Sequence, residues 1–368
     1  MGLPVISTKT MKEVVELHVK EDGKRPLFFL GKGGIGKSKI VESITKEMGI
    51  GYIDIRLLLY TETDIKGIPY PDDEKVYTVW LQNDILPRED RDGKEGILVL
   101  DEITSAMKSV RTAVYQLLQE RRLGNYVLPE GWRIVCLGNG EQDGGDFNGM
   151  EGNFANRCSM FKVEADSESF RRYGMNAGLN PMVLAYIGWA PGDLQTYNDD
   201  DITEDGLLFA SPRSWEAVSD ILNNVNKEVT YLDEVRIQSN IGTEVGEKFC
   251  TFIKFKESIV NIEEILTGKT SDIPKHTEAV YMTVQNLVTA MAQVIKASDI
   301  SQEEKITRIG YGVKWMLSIP RLEVAIMGFK DFVEVGGVEA LQIVVNPKFD
   351  EVCPELEEFA KEHKEIFA

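Results

Sequence analysis

The sequence predicts an α/β doubly wound domain built on a parallel sheet, followed by a helical region. Short apolar runs of strand length alternate with helical patterns as far as about Ala165. One of these runs, Ile97–Leu100, is apolar at every position, which is typical of a strand that is buried on both faces of a parallel sheet. From Ser167 onward the periodicity is mostly helical. These three observations together define the fold class.

The α/β part opens with a helix over residues 8–20, where the apolar positions share one face. The predicted strands are Pro26–Leu30, Gly51–Ile55, Val76–Trp80, Ile97–Leu100, Ile134–Leu137 and Met160–Val163, with Tyr126–Val127 as part of a hairpin. The helices predicted between them are Lys37–Glu47 and Thr104–Arg122. Such regular alternation favours an α/β doubly wound domain.

The second part of the chain shows helical periodicity with one acidic interruption. The predicted helices are Pro181–Trp189, Ser214–Asn224, Thr243–Phe255 and Lys275–Ala297, and an amphipathic helix is predicted over Glu355–Ala368. Residues 198–206 are acidic and poor in apolar side chains, which indicates an exposed loop or linker.

Composition limits the classes of function. The chain has 368 residues, 43% of them hydrophobic, and a formal net charge of −19. Such an acidic surface disfavours non-specific binding to nucleic acid or to an anionic membrane, since both need a positive field. There is no apolar run long enough to span a membrane, and the first thirty residues contain no signal-peptide core.

The four cysteines are far apart and form no CxxC pair: Cys136, Cys158, Cys250 and Cys353. We interpret them as buried or inert thiols in a reducing compartment rather than as a disulfide framework or a metal site. A cytoplasmic location is therefore expected.

A phosphate-binding loop is the strongest motif in the chain. Gly31–Ser38 matches G-x-x-x-x-G-K-[ST] at every position, with a predicted strand before it and a helix after it. The glycines let backbone N–H groups face phosphate oxygens, and the helix N-terminus adds partial positive charge. Lys37 is expected to reach the β- and γ-phosphates of ATP, and the Ser38 hydroxyl to bind Mg²⁺. The predicted nucleotide-binding residues are Gly33, Gly34, Ile35, Gly36, Lys37 and Ser38.

Two acids follow the most apolar strand. Asp101 and Glu102 come directly after Ile97–Leu100. In a P-loop protein the end of this strand lies beside the phosphates, so Asp101 is predicted to act at the Mg²⁺ ion and Glu102 to orient or activate the attacking water. An acidic strand end is a weak signal by itself, and the upstream glycine-rich loop makes it strong.

These two motifs, with the stretches that follow them, resemble the AAA+ superfamily and in particular its MoxR-like branch. Besides the two motifs, the matching stretches are Asp54–Leu57 with Asp64–Pro69, Gln116–Arg122 with Leu128–Arg133, Gly138 with Asn139, Asn153–Arg157, and Ser211–Trp215. The resemblance covers about residues 20–225 and extends more loosely over the helical part. The order and the spacing of the elements make it specific.

The resemblance implies roles for three further polar residues. Asn139 matches the sensor position that orients water between Glu102 and the γ-phosphate. Arg157 matches the arginine finger that reaches the nucleotide of a neighbouring subunit. Arg213 matches the lid residue that contacts the γ-phosphate, and an arginine is electrostatically unfavourable at a helix N-terminus unless it has such a partner. For Arg121 and Arg122, contact with a neighbouring nucleotide and a solvated helix end stay open as alternatives.

The resemblance also implies a domain organisation and a class of function. We expect an N-terminal linker or helix (1–19), an AAA+ nucleotide-binding domain (20–190), and a helical lid with a C-terminal extension (191–368). Such ATPases form rings, most often hexamers, and remodel a partner protein in a chaperone-like way. Members of this branch often act beside a protein with a von Willebrand factor A domain, and this compact chain is similar to ATPases carried by phages and prophages.

Two rival functions are open at this stage. A nucleic-acid motor or nuclease partner occurs among related AAA+ proteins, but the acidic composition and the lack of a recognisable DNA-binding module argue against it. A nucleotide-gated structural subunit with slow turnover is the other rival, and the complete set of catalytic residue types argues against that. One departure from the family pattern is the stretch 138–153, which is rich in glycine and acids and is predicted to be flexible.

Overall fold

The computed structural model describes residues 3–74, 76–81, 83–140, 156–197, 208–225 and 228–363. The predicted acidic loop at 198–206, residues 141–153 of the glycine-rich stretch, and the last five residues of the predicted C-terminal helix lie outside these ranges. The chain forms two compact units. The first contains the chain up to Asp166 together with Tyr197 and Ser211–Arg213, and the second contains Ser167–Thr196, Leu208–Ala210 and the chain from Ser214 onward.

The first unit is built on a six-stranded parallel sheet. The described strands of the whole unit, which include two small hairpins as well as the main sheet, are β1 (Val5–Ser7), β2 (Leu27–Leu30), β3 (Gly51–Arg56), β4 (Ile68–Pro71), β5 (Thr78–Leu81), β6 (Glu95–Asp101), β7 (Arg122–Leu123), β8 (Tyr126–Val127), β9 (Gly131–Gly138) and β10 (Ser159–Glu164). The order in the main sheet is β1-β10-β2-β9-β6-β3, while β4 pairs with β5 and β7 pairs with β8 in two antiparallel hairpins. The predicted fold class, an α/β domain on a parallel sheet followed by a helical region, is confirmed.

Apolar side chains cover both faces of this sheet. The helices of the unit are α1 (Thr8–Lys20), α2 (Lys37–Met48), α3 (Glu62–Lys66), α4 (Glu89–Asp92) and α5 (Lys108–Glu120), with a 3-10 turn at Leu57–Leu59. One buried cluster joins α1 and α2 to alternate strand positions such as Phe29 and Val99. The other joins α5 to the opposite positions, such as Phe28 and Leu98. Burial on both faces explains why the central strands are continuously apolar.

The strand order brings the predicted site together. Strand β9 lies between β2, which precedes the P-loop, and β6, which ends in Asp101. In register, Leu30 pairs with Gly138 and Leu100 pairs with Cys136. Because parallel strands all end at the same edge, the residues that follow β2, β6 and β9 share one crevice.

Some element boundaries differ from the sequence prediction. The helix predicted from Thr104 begins at Lys108, because Glu102 adopts a left-handed backbone (φ 54°), residues 102–105 form a turn, and a bend follows at Ala106. The edge strand β1 was not predicted, and its three residues are too few to show an alternating pattern. All four cysteines are free and buried, as the sequence predicted.

The second unit is helical in the part of the chain that the structure describes. Its helices are α6 (Ser167–Ala177), α7 (Pro181–Trp189), α8 (Pro212–Asn223, whose first two residues belong to the first unit), α9 (Tyr231–Ile241), α10 (Thr243–Ile253), α11 (Ile262–Leu266), α12 (Thr277–Lys296), α13 (Gln302–Leu317), α14 (Leu322–Val344), α15 (Pro347–Val352) and α16 (Glu355–Glu362). Two 3-10 turns lie at Pro191–Leu194 and Lys254–Ser258. The long helix α12 packs on α7, α13 and α14. Within the described ranges, no helix is both long and apolar enough to cross a membrane.

Aromatic rings and one buried ion pair hold this unit together. Tyr186 lies at the centre of the aromatic cluster, with ring centroids 5.1 Å from Phe249 and 5.3 Å from both Trp215 and Phe252. Elsewhere in the unit, Arg171 on α6 forms an ion pair with Asp331 on α14, and both side chains are buried. The same guanidinium donates to Gln285 Oε1 on α12 at 3.1 Å.

The β4–β5 hairpin of the first unit exposes apolar side chains to solvent. Ile68 pairs with Leu81 and Tyr70 with Val79, so these four side chains share one face of the hairpin. Each of the four is exposed, and so is Trp80 on the other face. Monomeric proteins rarely leave such a contiguous apolar surface without a partner.

Candidate functional site

The P-loop joins a buried strand to a helix through glycines. Strand β2 ends at Leu30 and α2 begins at Lys37. Gly36 caps the helix with φ 89°, a left-handed conformation that favours glycine. At Gly31 a side chain would lie 2.3 Å from the carbonyl oxygen of Val163, so only glycine fits there. These two requirements explain glycine at both ends of the loop.

Lys37 is buried and its ammonium group lies inside the loop. The Nζ atom donates to the carbonyl oxygens of Gly31 at 2.6 Å and Lys32 at 3.0 Å. It also donates to Oδ1 of Asn139 at 3.3 Å. The structure thus brings together the predicted P-loop lysine and the predicted sensor at the end of β9.

Ser38 and Asp101 form a pair of oxygen donors at the start of α2. The hydroxyl Oγ of Ser38 donates to Oδ2 of Asp101 at 3.0 Å, and the other oxygen, Oδ1, accepts from the backbone N–H of Glu102 at 2.8 Å. Asp101 is buried, and these hydrogen bonds fix the orientation of its carboxylate. A hydroxyl and a carboxylate at this separation are the hard oxygen ligands that Mg²⁺ prefers, so the residues fit the predicted ion.

Glu102 has the least common backbone geometry in this site. Its φ of 54° lies in the left-handed region, which costs a residue other than glycine about 1–2 kcal/mol. The conformation turns the chain sharply after β6 and leaves Glu102 half-buried next to Asp101. Strained backbone of this kind concentrates at functional sites, which agrees with the catalytic role predicted for Glu102.

Asn139 is held from two sides. Its backbone N–H donates to the hydroxyl of Thr104 at 3.1 Å, and its side-chain oxygen accepts from Lys37. The preceding residue, Gly138, accepts from the backbone N–H of Gly31 at 3.2 Å. Thr104 therefore connects the segment after β6 to the end of β9, and no motif in the sequence pointed to that role.

Arg213 lies against the P-loop by its backbone. Its N–H donates to the carbonyl oxygen of Gly34 at 3.3 Å, while its side chain is exposed. A side chain at Gly34 would lie 3.1 Å from the hydroxyl of Ser211. Nearby, Lys32 donates to the carbonyl oxygen of Tyr197 at 2.5 Å. The contact of Tyr197 with the loop was not predicted, because nothing in its local sequence marks it.

Among the described residues, Arg157 contacts helix α5. Its Nε donates to Oε1 of Gln119 at 2.8 Å, and its guanidinium lies 5.5 Å from the ring centroid of Tyr115. Both partners lie on α5, and Arg157 is half-buried. Its predicted contact with a neighbouring subunit stays a prediction.

Arg121 makes hydrogen bonds that stabilise the fold of its own chain. Its guanidinium donates to the carbonyl oxygens of Trp132 at 2.7 Å and Pro129 at 3.0 Å, and desolvation by burial lowers its pKa. Arg122 is exposed. Of the two arginines considered for a neighbouring nucleotide, Arg121 is thus already engaged in the turn before β9.

Asp54 is a further carboxylate near the predicted metal site. Desolvation is the first cause of its raised pKa, and the negative charge of Asp101 is the second. The hydroxyl of Tyr52 donates to Asp54 at 3.3 Å. Sequence reasoning gave Asp54 no chemical role, although the pairing of β3 with β6 places it opposite Val99, two residues before Asp101.

Comparison with known proteins agrees with this geometry. Residues 26–148 match the model of the family described as AAA domain (dynein-related subfamily). This segment covers about a third of the chain and includes the P-loop, the two acids after β6 and Asn139. This match and the strand order support an AAA+ ATPase domain in this segment. No curated protein sequence matches the chain.

Two solved structures are similar over most of the chain, at low identity. One is a candidate ATPase from Cytophaga hutchinsonii ATCC 33406, 14% identical, with a TM-score of 0.33, covering 78% of this chain and 76% of that one. The other is a lysine-to-arginine mutant of RuvB from Thermotoga maritima, 11% identical, with a TM-score of 0.36, covering 82% and 81%. With TM-scores this low, neither similarity indicates a function.

Proposed function

We propose that this chain binds ATP with Mg²⁺ and hydrolyses it as a subunit of a ring-forming, MoxR-like AAA+ ATPase. The observation that carries the proposal is the hydrogen-bonded set at the carboxyl edge of the sheet. It links Lys37 to Asn139 and Ser38 to Asp101, and places Glu102 directly beside Asp101. These are the groups that phosphoryl transfer to water requires.

Each group has a definite task in the proposed reaction. Lys37 exchanges its hydrogen bonds to loop carbonyls for the β- and γ-phosphate oxygens, which costs little because those carbonyls are uncharged. Ser38 and Asp101 would hold Mg²⁺, which supplies neutralisation of phosphate charge when bound. Glu102 accepts a proton from the attacking water or orients it, and Asn139 fixes the position of that water.

Replacing Glu102 tests the hydrolytic part of the proposal. In Glu102→Gln the amide is a far weaker proton acceptor, so ATP binding should persist while turnover falls by about 10²–10⁴. Binding is measured by calorimetric titration and turnover by phosphate release. Glu95→Gln is the matched control, because Glu95 is exposed at the other end of the same strand. Turnover in Glu102→Gln equal to that in Glu95→Gln would rule out Glu102 as the water-activating residue.

We further propose that the ring acts on a protein partner. The β4–β5 hairpin supports this, because its apolar face suits the apolar side chains of a polypeptide. The turn between the strands carries exposed Asp73 and Glu74, which favour basic side chains and repel phosphate. On the sequence resemblance alone, we extend the proposal to a hexameric ring and to a partner with a domain of the von Willebrand factor A type. The same resemblance supports a cytoplasmic location and a phage-type origin.

A nucleic-acid motor remains the rival function, and one assay separates the two. If the partner is a protein, addition of double- or single-stranded DNA should leave the rate of ATP hydrolysis unchanged at low salt. A DNA-stimulated rate that declines as salt is raised would favour the rival, since phosphate contacts are salt-dependent.

A further inference from the structure

A cavity of about 400 Å³ opens on the helical unit, and none of its lining residues is assigned to ATP. Its walls come from the end of α7, from α10 with the 3-10 turn that follows, and from the start of α12. Three aromatic side chains and three carboxylates line it: Trp189, Phe252, Phe255, Glu244, Glu247 and Glu278. Its volume falls within the range of ligand pockets, about 300–1,000 Å³.

The aromatic walls are fixed by the core beneath them. Trp189 and Phe252 lie with ring centroids 5.4 Å apart, and each also packs on the buried ring of Tyr186. Phe255 packs on the ring of His276 at 5.0 Å. Since these rings are held in place before a ligand arrives, little conformational entropy is lost on binding.

The charges at the cavity are mostly negative. Lys248 binds Glu244 at 2.7 Å, and this pairing lowers the pKa of Glu244. In the part of the chain that the structure describes, the side-chain carboxylates of Glu247 and Glu278 form no hydrogen bond or ion pair. Two carboxylates beside aromatic faces therefore lack a cation.

We propose that this aromatic and acidic pocket binds an arginine side chain of a partner polypeptide. A guanidinium can stack on the face of an indole or benzene ring while it pairs with a carboxylate, and both features meet here. The acidic character of the whole chain, with a net charge of −19, attracts a basic segment toward the pocket. The site lies entirely in the helical unit, so binding of the arginine side chain does not depend on ATP hydrolysis.

A peptide titration tests the proposal on the full-length chain. The probe is acetyl-Gly-Gly-Arg-Gly-Gly-amide, and its control carries citrulline, which has the shape of arginine without the charge. The chain is labelled with fluorotryptophan, and Trp189→Phe identifies the resonance of Trp189. The arginine peptide should shift this resonance in the millimolar range, the citrulline peptide should not, and added salt should weaken the effect.

Variants then separate the ionic contacts with carboxylates from the cation–π contact with the aromatic rings. Glu247→Gln and Glu278→Gln should each weaken binding about two- to fivefold, as expected for an exposed ion pair. Phe255→Ala should weaken it about threefold to thirtyfold through loss of a cation–π contact. Glu339→Gln is the matched control, because Glu339 is exposed on α14 of the same unit and does not line the cavity.

Equal shifts from the arginine and citrulline peptides would overturn the proposal. So would the same affinity in Glu247→Gln, Glu278→Gln and Glu339→Gln. The titration is repeated without nucleotide in Lys37→Ala, where binding of the arginine peptide should be unchanged. A failure of the proposed ATPase function therefore leaves this result intact, and a failure here leaves the ATPase intact.

Discussion

Lys37 in the first compact unit and Arg171 in the second are both buried cations, and their surroundings differ. Lys37 makes hydrogen bonds to three uncharged oxygens in the P-loop and on Asn139. Arg171 is paired with the carboxylate of Asp331 and also donates to Gln285. Both side chains are almost fully buried, at 8% and 4% exposure. Burial alone therefore does not distinguish them.

The difference lies in how readily each cation can change partner. An ammonium group that is bound to carbonyl and amide oxygens gains when a phosphate replaces them, since hydrogen bonds between charged groups are the stronger ones. A guanidinium in a buried ion pair would leave an uncompensated carboxylate behind if it moved. We therefore expect Lys37 to bind ligand and Arg171 to stabilise the fold.

Among the tests of this comparison, replacing Arg157 should have the largest effect on turnover. It is half-buried, and it contacts the side chains of Gln119 and Tyr115 on α5. We propose that in the ring it reaches the γ-phosphate of a neighbouring subunit. Arg157→Ala should then lower turnover by about 10³–10⁵, the usual value of an arginine finger, while ATP binding persists.

Mixing experiments show whether Arg157 acts between subunits. Inactive Arg157→Ala chains mixed with inactive Lys37→Ala chains should regain activity, because a mixed interface pairs an intact P-loop with an intact arginine. Arg88→Ala, at an exposed arginine of the same unit, should keep full activity. Full turnover of Arg157→Ala in a verified monomer would place this arginine outside the reaction.

Arg171 should show the opposite pattern. Arg171→Met leaves Asp331 buried without its cation, so the free energy of unfolding should fall by about 3–5 kcal/mol. Adding Asp331→Leu removes the orphaned carboxylate and should recover most of the loss. Chemical denaturation measures both values, and ATP affinity should stay unchanged in each variant. No stability loss in the single variant would show that the pair is not structural.

The protonation of Asp331 gives a smaller effect with a definite sign. Burial raises its pKa from 3.8 to about 6, although Arg171 acts in the opposite direction. Between these values the folded chain binds more protons at this site than the unfolded chain, so the contribution of Asp331 to stability falls as pH rises from about 4 to 6. Relative to Asp331→Asn, the wild type should lose about 1–3 kcal/mol over this window. A difference that grows with pH would contradict the sign.

Much of the ATP site could be predicted because its residues lie next to strand ends in the sequence. The P-loop and the two acids after β6 are contiguous stretches, and the geometry of parallel strands places them at one edge. Thr104 and Tyr197 could not be predicted in this way. Each makes a hydrogen bond with a residue far away in the sequence, and no local pattern indicates that contact.

In the helical unit, periodicity predicted elements such as Pro181–Trp189 with its observed limits. It did not predict the ion pair of Arg171, whose partner lies 160 residues away in the chain. The aromatic and acidic pocket was missed for the same reason, because its walls come from four separate elements. Helical periodicity indicates which face is buried and does not indicate which neighbour meets it.

The most direct test of the ATP site is a calorimetric titration of Mg·ATP into Lys37→Ala, with Lys46→Ala as control. Lys46 lies on the same helix, is exposed, and binds Glu42. We predict no detectable binding to Lys37→Ala, wild-type affinity in Lys46→Ala, and an unfolding free energy for Lys37→Ala no lower than that of the wild type, since a buried charge is removed. Wild-type ATP affinity in Lys37→Ala would contradict the assignment of Gly31–Ser38 as the nucleotide site.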